Sequence, residues 1–515
     1  MLVKDRFTSE ARAGIRLLSA LSCVMVLSVV SIWPPVEAAD DQALDDYNLA
    51  VGLYKQERWE LATDAFTGFL KKHPKHAKAQ FASLYLGMTQ VNLKQFEPAR
   101  KTLREFAKQY PNSTNLSDAR YRIAECSYLL GDLKAANSEF TEFLQKHPED
   151  TLNEWALPYL ADIQLQLGDA QSALKTYQQA EKKYPDGALQ ADVAFGLARA
   201  YDMVGKKDEA YKRYKDVAAD ETDLWAPKAQ HLLATLDFQA GRYADAAAGY
   251  LDLIKRFPES LSAASARLNA GFAYFQAGDF RSAIEQFDQA AREPDQQVTA
   301  SYWKGVSYRQ LNEYKAAAEV LQNAFNANPQ SELADQILYQ WADCELRQGD
   351  NKAALQHFLQ LTDGWPKSEL ADDSLHFAAE SALSLGQLDL ARKLIERFAK
   401  QFPDSGLRLH ADLLEGRLLA NSGKPADLTQ AIAIFRKVLQ QTTLDETREL
   451  TRFHLARALA QSGANQEALD VARPLVEQVR KEGKDSPLID TLILVATTEL
   501  ALKNYDAASQ AATDY

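Results

Sequence analysis

The chain has 515 residues, 46% hydrophobic and 25% charged, a composition that excludes a disordered polar chain. Its 58 basic and 71 acidic residues give a net charge of −13, which argues against nucleic-acid partners and against adsorption to an anionic membrane surface. At this length about three ordinary domains are expected, unless the chain is built from repeats that each bury their apolar face against a neighbour.

Residues 1–38 read as a secretory signal peptide. Lys4, Arg6, Arg12 and Arg16 form a basic lead-in, an apolar run follows from Leu17 to Trp33, and PPVEA offers a small-residue cleavage site after Ala38. Cys23 lies inside the apolar run, with Ala20 where a lipoprotein signal usually has leucine, so it reads as part of the leader and not as a lipidation site. The four bases against Asp5, Glu10 and Glu37 leave the leader at +1 and the remaining chain at −14. Once the leader is cut away, no direct insertion into a membrane is expected.

Residues 40–405 carry about ten copies of one unit. The phrase FAKQYPNS at 106–113 returns as FAKQFPDS at 398–405. Pro74, Pro111, Pro148 and Pro185 are 37 residues apart; Pro258 follows after 73, and Pro294, Pro329, Pro366 and Pro403 follow at steps of 36, 35, 37 and 37. The long gap is two periods with one proline missing near Thr222. Each unit reads as two amphipathic helices joined by a turn such as LLGD (129–132), QLGD (166–169), QAGD (276–279) or RQGD (347–350). Glycine there takes the left-handed conformation that ends a helix, with Asn312 standing in once, and the following Asp caps the next helix. The second helix carries a small and a large residue four apart, as in Ala62/Phe66, Ala99/Leu103 and Ala136/Phe140, opposite a small residue on the first helix such as Ala50, Gly87 or Ala124. Proline ends the second helix, and a serine two residues on (Ser113, Ser260, Ser331, Ser368, Ser405) is expected to cap the next first helix.

The glycine, the Ala-x-x-x-Phe pair and the proline resemble the tetratricopeptide repeat, whose unit is two antiparallel helices. The resemblance covers nearly all of the chain after the leader. It implies an all-α fold, a right-handed α-solenoid of stacked antiparallel helix pairs. The period exceeds the usual length of about 34 residues, with three extra residues after the proline, as in WPKSELADDS (365–374). Repeats of that form are similar to those of two bacterial envelope proteins, the lipoprotein subunit of the outer-membrane β-barrel assembly machine and the Tol–Pal-associated cell-division coordinator.

If the repeats pack as in those relatives, the positions 27 and 20 before each proline look into a concave groove. They hold Tyr47 and Tyr54, Tyr121 and Tyr128, His231 and Phe238, Tyr302 and Arg309, Tyr339 and Leu346. Tyr47, Tyr54, Tyr121, Tyr128, Phe238, Tyr302, Arg309 and Tyr339 are the candidate partner-binding residues, because aromatic anchors dominate interface energy. A protein or peptide partner in that groove is the expectation. Tyr47/Val51 and Leu84/Met88 replace the Lys and Asn that chaperone-binding relatives use to clamp a terminal carboxylate, so that clamp is not expected.

The sequence holds no HExxH, paired CxxC, P-loop or GxSxG motif, so no catalytic residue, cofactor or metal is expected. His73 and His76 flank a helix-ending proline without a carboxylate partner in the sequence. The pair Asp372/Asp373 suits a helix start. Cys126 and Cys344 stand at equivalent core positions six repeats apart, which predicts two buried, unpaired thiols.

Residues 406–515 read as divergent repeats with displaced prolines, interrupted by KEGKDSP (481–487), the last hairpin being incomplete at Tyr515. A natural chain continuing beyond Tyr515 is expected. The function expected is an exported, non-enzymatic scaffold of the periplasm, soluble there or associated with the outer membrane. The alternative is the helical adaptor of a longer envelope enzyme or polysaccharide-export component acting on peptidoglycan or exopolysaccharide.

Overall fold

The structure, a computed structural model, describes residues 37–483 and 486–515. The expected leader through residue 36 lies outside the described residues, as do Lys484 and Asp485 of the KEGKDSP stretch. Among the described residues the regular structure is 26 α-helices without a strand, as the repeat pattern predicts. Two units divide the chain, the first ending at Ala240 and the second beginning at Gly241.

In the first unit, α1 (Glu37–Lys55), α3 (Ala79–Asn92), α5 (Leu116–Leu129), α7 (Asn153–Gln166) and α9 (Gln190–Met203) are first helices. Their hairpin partners are α2 (Trp59–Lys72), α4 (Phe96–Gln109), α6 (Leu133–Lys146), α8 (Ala170–Lys183) and α10 (Lys207–Ala219), and α11 (Ala226–Gln239) follows. Each helix packs on the next, and α1 on α3, α3 on α5 and α7 on α9 also meet directly. First helices thus contact one another across repeats as well as their hairpin partners, and α5 and α7 are buried on most sides.

The second unit starts with α12 (Tyr243–Arg256). It continues through the hairpins α13 (Leu261–Gln276) and α14 (Phe280–Ala290), α15 (Gln297–Gln310) and α16 (Tyr314–Ala327), and α17 (Ala334–Arg347) and α18 (Asn351–Gly364). Then come α19 (Ala371–Ser384) and α20 (Leu388–Gln401), α21 (Arg408–Ala420) and α22 (Pro425–Gln441), α23 (Asp445–Gln461) and α24 (Asn465–Glu482), and α25 (Asp490–Ala501) and α26 (Tyr505–Asp514). Here too first helices touch one another, α15 on α17, α19 on α21, α21 on α23 and α23 on α25.

The turns follow the sequence rule. Gly131, Gly168, Gly278 and Gly349 have φ near +80° and Asn312 has φ +59°. Glu57 and Lys94 adopt the same left-handed geometry at φ 57° and 59°, although neither residue type signals it. Asp132, Asp169, Asp279 and Asp350 accept hydrogen bonds from the amides of Ala135, Ser172, Ser282 and Ala353, as N-caps do.

The serines behave differently from expectation. Ser260 alone among the five caps a helix, accepting from the Ala263 amide. Ser113, Ser368 and Ser405 accept the amides of Asn115, Leu370 and Leu407, two residues on. The hydroxyls of Ser368 and Ser405 donate to Asp335 and Asp372, at 2.6 and 2.7 Å, on the first helix of the preceding repeat. Ser368 and Ser405 stand two residues before the N-cap positions Leu370 and Leu407, so each hydroxyl accepts an amide of the turn and donates to the neighbour's carboxylate at once. Asp372 thus ties repeats together in addition to sitting at a helix start.

The paired small and large residues meet as predicted. A Cβ on Gly87 would lie 2.5 Å from Leu103 Cδ2, and one on Gly305 2.6 Å from Leu321 Cγ. Glycine there lets the two helices of a hairpin close on the leucine. Gly305→Val is expected to destabilise the second unit by about 2–3 kcal/mol through overpacking. Urea unfolding followed by circular dichroism measures it; an unshifted midpoint would mean that Leu321 has room to move. Cys126 and Cys344 are both free and buried. Burial, then the neighbouring Glu125, pushes the Cys126 thiol up, and burial, then Asp343, takes Cys344 to about 12, so neither is a ready thiolate.

Candidate partner-binding face

The eight sequence-selected residues meet different fates. In the first unit, Tyr121 and Tyr128 on α5 are only 4% and 2% exposed. Tyr121 packs edge-on against Phe140 and Phe143, both at 5.8 Å. Tyr128 packs edge-on against Tyr159 at 5.3 Å, and its hydroxyl donates to Asp162 at 3.1 Å. Both rings wedge α5 against its neighbours, so neither lines an open groove. Burial raises both phenols well beyond the usual range.

Tyr47 and Tyr54 on α1 are only half-buried. Tyr47 leans on Phe69 at 5.7 Å, with the Lys78 ammonium 5.8 Å from its ring centre. Lys78 also lies 5.6 Å from the ring of Phe81, at the start of α3. Tyr54 packs on Tyr85 of α3 at 4.9 Å, and Tyr85 stacks on Phe66 at 5.8 Å. Phe81 and Tyr85 are half-buried too, and α3 bears no charged side chain. The α1 and α3 faces thus present Tyr47, Tyr54, Phe81 and Tyr85 with the Lys78 ammonium at their border. Burial takes the phenols of Tyr47 and Tyr54 to about 12, so at neutral pH they are uncharged rings with hydroxyls. Such a surface offers apolar area, cation–π contact and hydrogen bonding together.

Phe238 is half-buried on α11. In the second unit Tyr302 and Tyr339 are half-buried on α15 and α17. Tyr302 packs on Trp303 at 5.5 Å, and Tyr339 on Phe358 at 5.9 Å and Phe377 at 6.5 Å. Arg309 is not a bare cation: its Nε donates to Asp343 at 2.6 Å, and Asp343 also accepts from Arg347 at 2.9 Å.

That pairing belongs to a wider pattern that position-by-position reading missed. Asp162 meets Arg199 at 3.4 Å and Glu380 meets Arg417 at 2.8 Å, each pair joining successive first helices. The signal was present as opposite charges one period apart, 37 residues in both cases. These charges neutralise one another across repeats, whereas the α1 and α3 face gathers four half-buried rings, Tyr47, Tyr54, Phe81 and Tyr85, on two adjoining helices. Tyr85 and Phe81 stand 26 and 30 residues before their proline, outside the positions 27 and 20 that the repeat rule turns toward a groove.

Among the described residues, no three His, Cys, Asp or Glu side chains are grouped to hold a metal ion, and no helix is long and apolar enough to cross a membrane.

Two forms of the tetratricopeptide-repeat profile match the sequence. One covers residues 81–113, 118–150, 156–187 and 378–405, the other 231–280, 268–332 and 308–369, together just over half of the chain. No curated protein matches the sequence. Among solved structures, a tetratricopeptide repeat protein from Parabacteroides merdae ATCC 43184 is 18% identical, covers 51% of this chain and 98% of its own, and has a TM-score of 0.34. The APC/C hetero-tetramer Cut9–Hcn1 is 14% identical, with 93% and 95% covered and a TM-score of 0.37. Naa15/Naa10 bound to HypK-THB is 13% identical, with 92% and 75% covered and a TM-score of 0.36.

Proposed function

The chain belongs to the tetratricopeptide-repeat family, and from that premise we propose that it is an exported, non-enzymatic scaffold that binds a protein partner on the aromatic face of α1 and α3. The observation that carries this reading is the half-open cluster of Tyr47, Tyr54, Phe81 and Tyr85 beside Lys78. Rings held by neighbours on one side lose little freedom when a partner covers the other, so their binding energy is spent on contact. An aliphatic or aromatic side chain of the partner would seat between the rings, with its carboxylates toward Lys78. The leader-like residues 1–38 support a periplasmic location, and the 37-residue repeat supports a place among envelope assembly proteins.

The test places a photo-crosslinking amino acid at Tyr47 or Phe81 of the full chain in the producing cell, with exposed Glu105 on α4 as control. Discrete protein adducts at the first two sites and none at Glu105 are expected. No adducts at Tyr47 and Phe81, or the same pattern at all three sites, would remove the α1–α3 face as the docking surface. Sequencing the N-terminus of the cell-derived protein checks export separately: a start at Ala39 is expected, and an intact Met1 in the cytoplasm would overturn the location.

A further inference from the structure

Three histidines stand on three successive first helices of the second unit: His376 on α19, His410 on α21 and His454 on α23. The rings of His376 and His410 lie 6.2 Å apart, edge to face, and α19 and α21 meet directly. His410 Nε2 lies 3.1 Å from Thr447 Oγ1 on α23, so the contact extends to a third helix. His454 stacks on Phe435 of α22 at 6.1 Å. The Nδ1 atoms of His376 and His410 are both shielded and have no hydrogen-bond partner.

The surroundings of His376 and His454 resist a proton. From α20, Phe398 sets only its ring against His376, at 6.4 Å. Glu380, one turn beyond His376, is the carboxylate that would favour a charge there, and Arg417 of α21 already holds it at 2.8 Å. Arg417 itself opposes charge on His376 and on His454, and Arg457 opposes it on His454.

We propose that His376, packed on the His410 ring, and His454, packed on the Phe435 ring, act as a proton-operated latch: neutral at these two positions, they let α19, α21 and α23 stack, and proton uptake there loosens these helices while the hairpins outside them stay packed. Burial first, and the cationic neighbours after it, hold His376 down to about 4 and His454 to about 3. An opened segment binds these protons from about pH 6.5 downward, whereas the closed one does not until near pH 4. The stability is therefore present above pH 6.5 and drains away as the pH falls toward 4. Each such histidine shifts the opening equilibrium about tenfold between pH 7.5 and 5.5. Asp373 on α19 and Glu415 on α21 act in the opposite sense, because burial raises their carboxyls and the closed form then holds their protons.

Hydrogen exchange on the full chain, corrected for the intrinsic rate, tests the latch at pH 7.5 and 5.5. Segments 371–384, 408–420 and 445–461 should lose about 100-fold in protection at the lower pH, while 116–129 and 153–166 hold theirs. In the variant His376→Gln/His454→Gln the acid loss should vanish. Should that double variant not fold, each single variant is expected to reduce the loss to about tenfold. A loss spread evenly along the chain, or one that persists in the variants, would overturn the latch.

Discussion

Replacing Phe140 with alanine is expected to destabilise the first unit by about 3–5 kcal/mol, among the largest effects available to a single change in this chain. Phe140 comes from α6 and is fully buried. Its ring lies edge-on to Tyr121 of α5 at 5.8 Å and stacks on Tyr159 of α7 at 5.6 Å, so one side chain joins a hairpin to the following repeat. Removing it leaves a cavity at the seam between two repeats, and a repeat stack holds its neighbours only through such seams. Urea unfolding should show a shifted midpoint, and hydrogen exchange should place the loss in α5–α7. Phe140→Leu keeps most of the volume and should cost less than about 1.5 kcal/mol. A cost below about 1 kcal/mol for the alanine variant would refute the idea that the second-helix aromatic is the wedge that fixes repeat spacing.

How far the sequence could be read depended on whether a residue's role is local. Gly131 and Asp132 end one helix and begin the next through their own backbone and side chain, so the sequence alone reveals them. Ala136 and Phe140 meet their partners at offsets fixed by the hairpin, and these were legible as well. Ser368 and Ser405 look like helix caps by the same local logic, yet their helices start after Leu370 and Leu407, and the hydroxyls bridge the turn to Asp335 and Asp372 of the preceding repeat. Openness was the least legible property. Tyr47 and Tyr121 occupy one repeat position, but Tyr121 is enclosed by Phe140, Phe143 and the buried α7 layer, whereas Tyr47 is left half-covered. Identical letters at identical phase differ here because burial is a sum over neighbours, and neighbours change along the chain even where the period does not. Arg309 taught the same lesson in charge: its partner Asp343 sits 34 residues on, beyond any window that reads one helix at a time.

The ion pair of Arg122 and Glu125 on α5 supplies the second large effect, and a cleaner one because two changes can be set against each other. The Arg122 side chain is 12% exposed and that of Glu125 3%, with Nη1 donating to the carboxylate at 2.7 Å. The guanidinium also lies 5.4 Å from the ring centre of Tyr121. Burial works to discharge Arg122, but Glu125 and then Tyr121 outweigh it, and the net displacement is upward, so the guanidinium stays charged through neutral pH. Removing either partner strands a charge among packed helices, where solvation cannot replace the lost counter-ion. Glu125→Leu and Arg122→Met should therefore each cost about 3–5 kcal/mol. The double variant should recover most of that, because two apolar chains of similar volume need no solvation at all. The expected outcome of a double-mutant cycle on urea midpoints is thus a coupling of at least about 2 kcal/mol. Additive losses would instead mean that water reaches these groups between the repeats, and that the segment from α5 to α7 opens more readily than its packing implies.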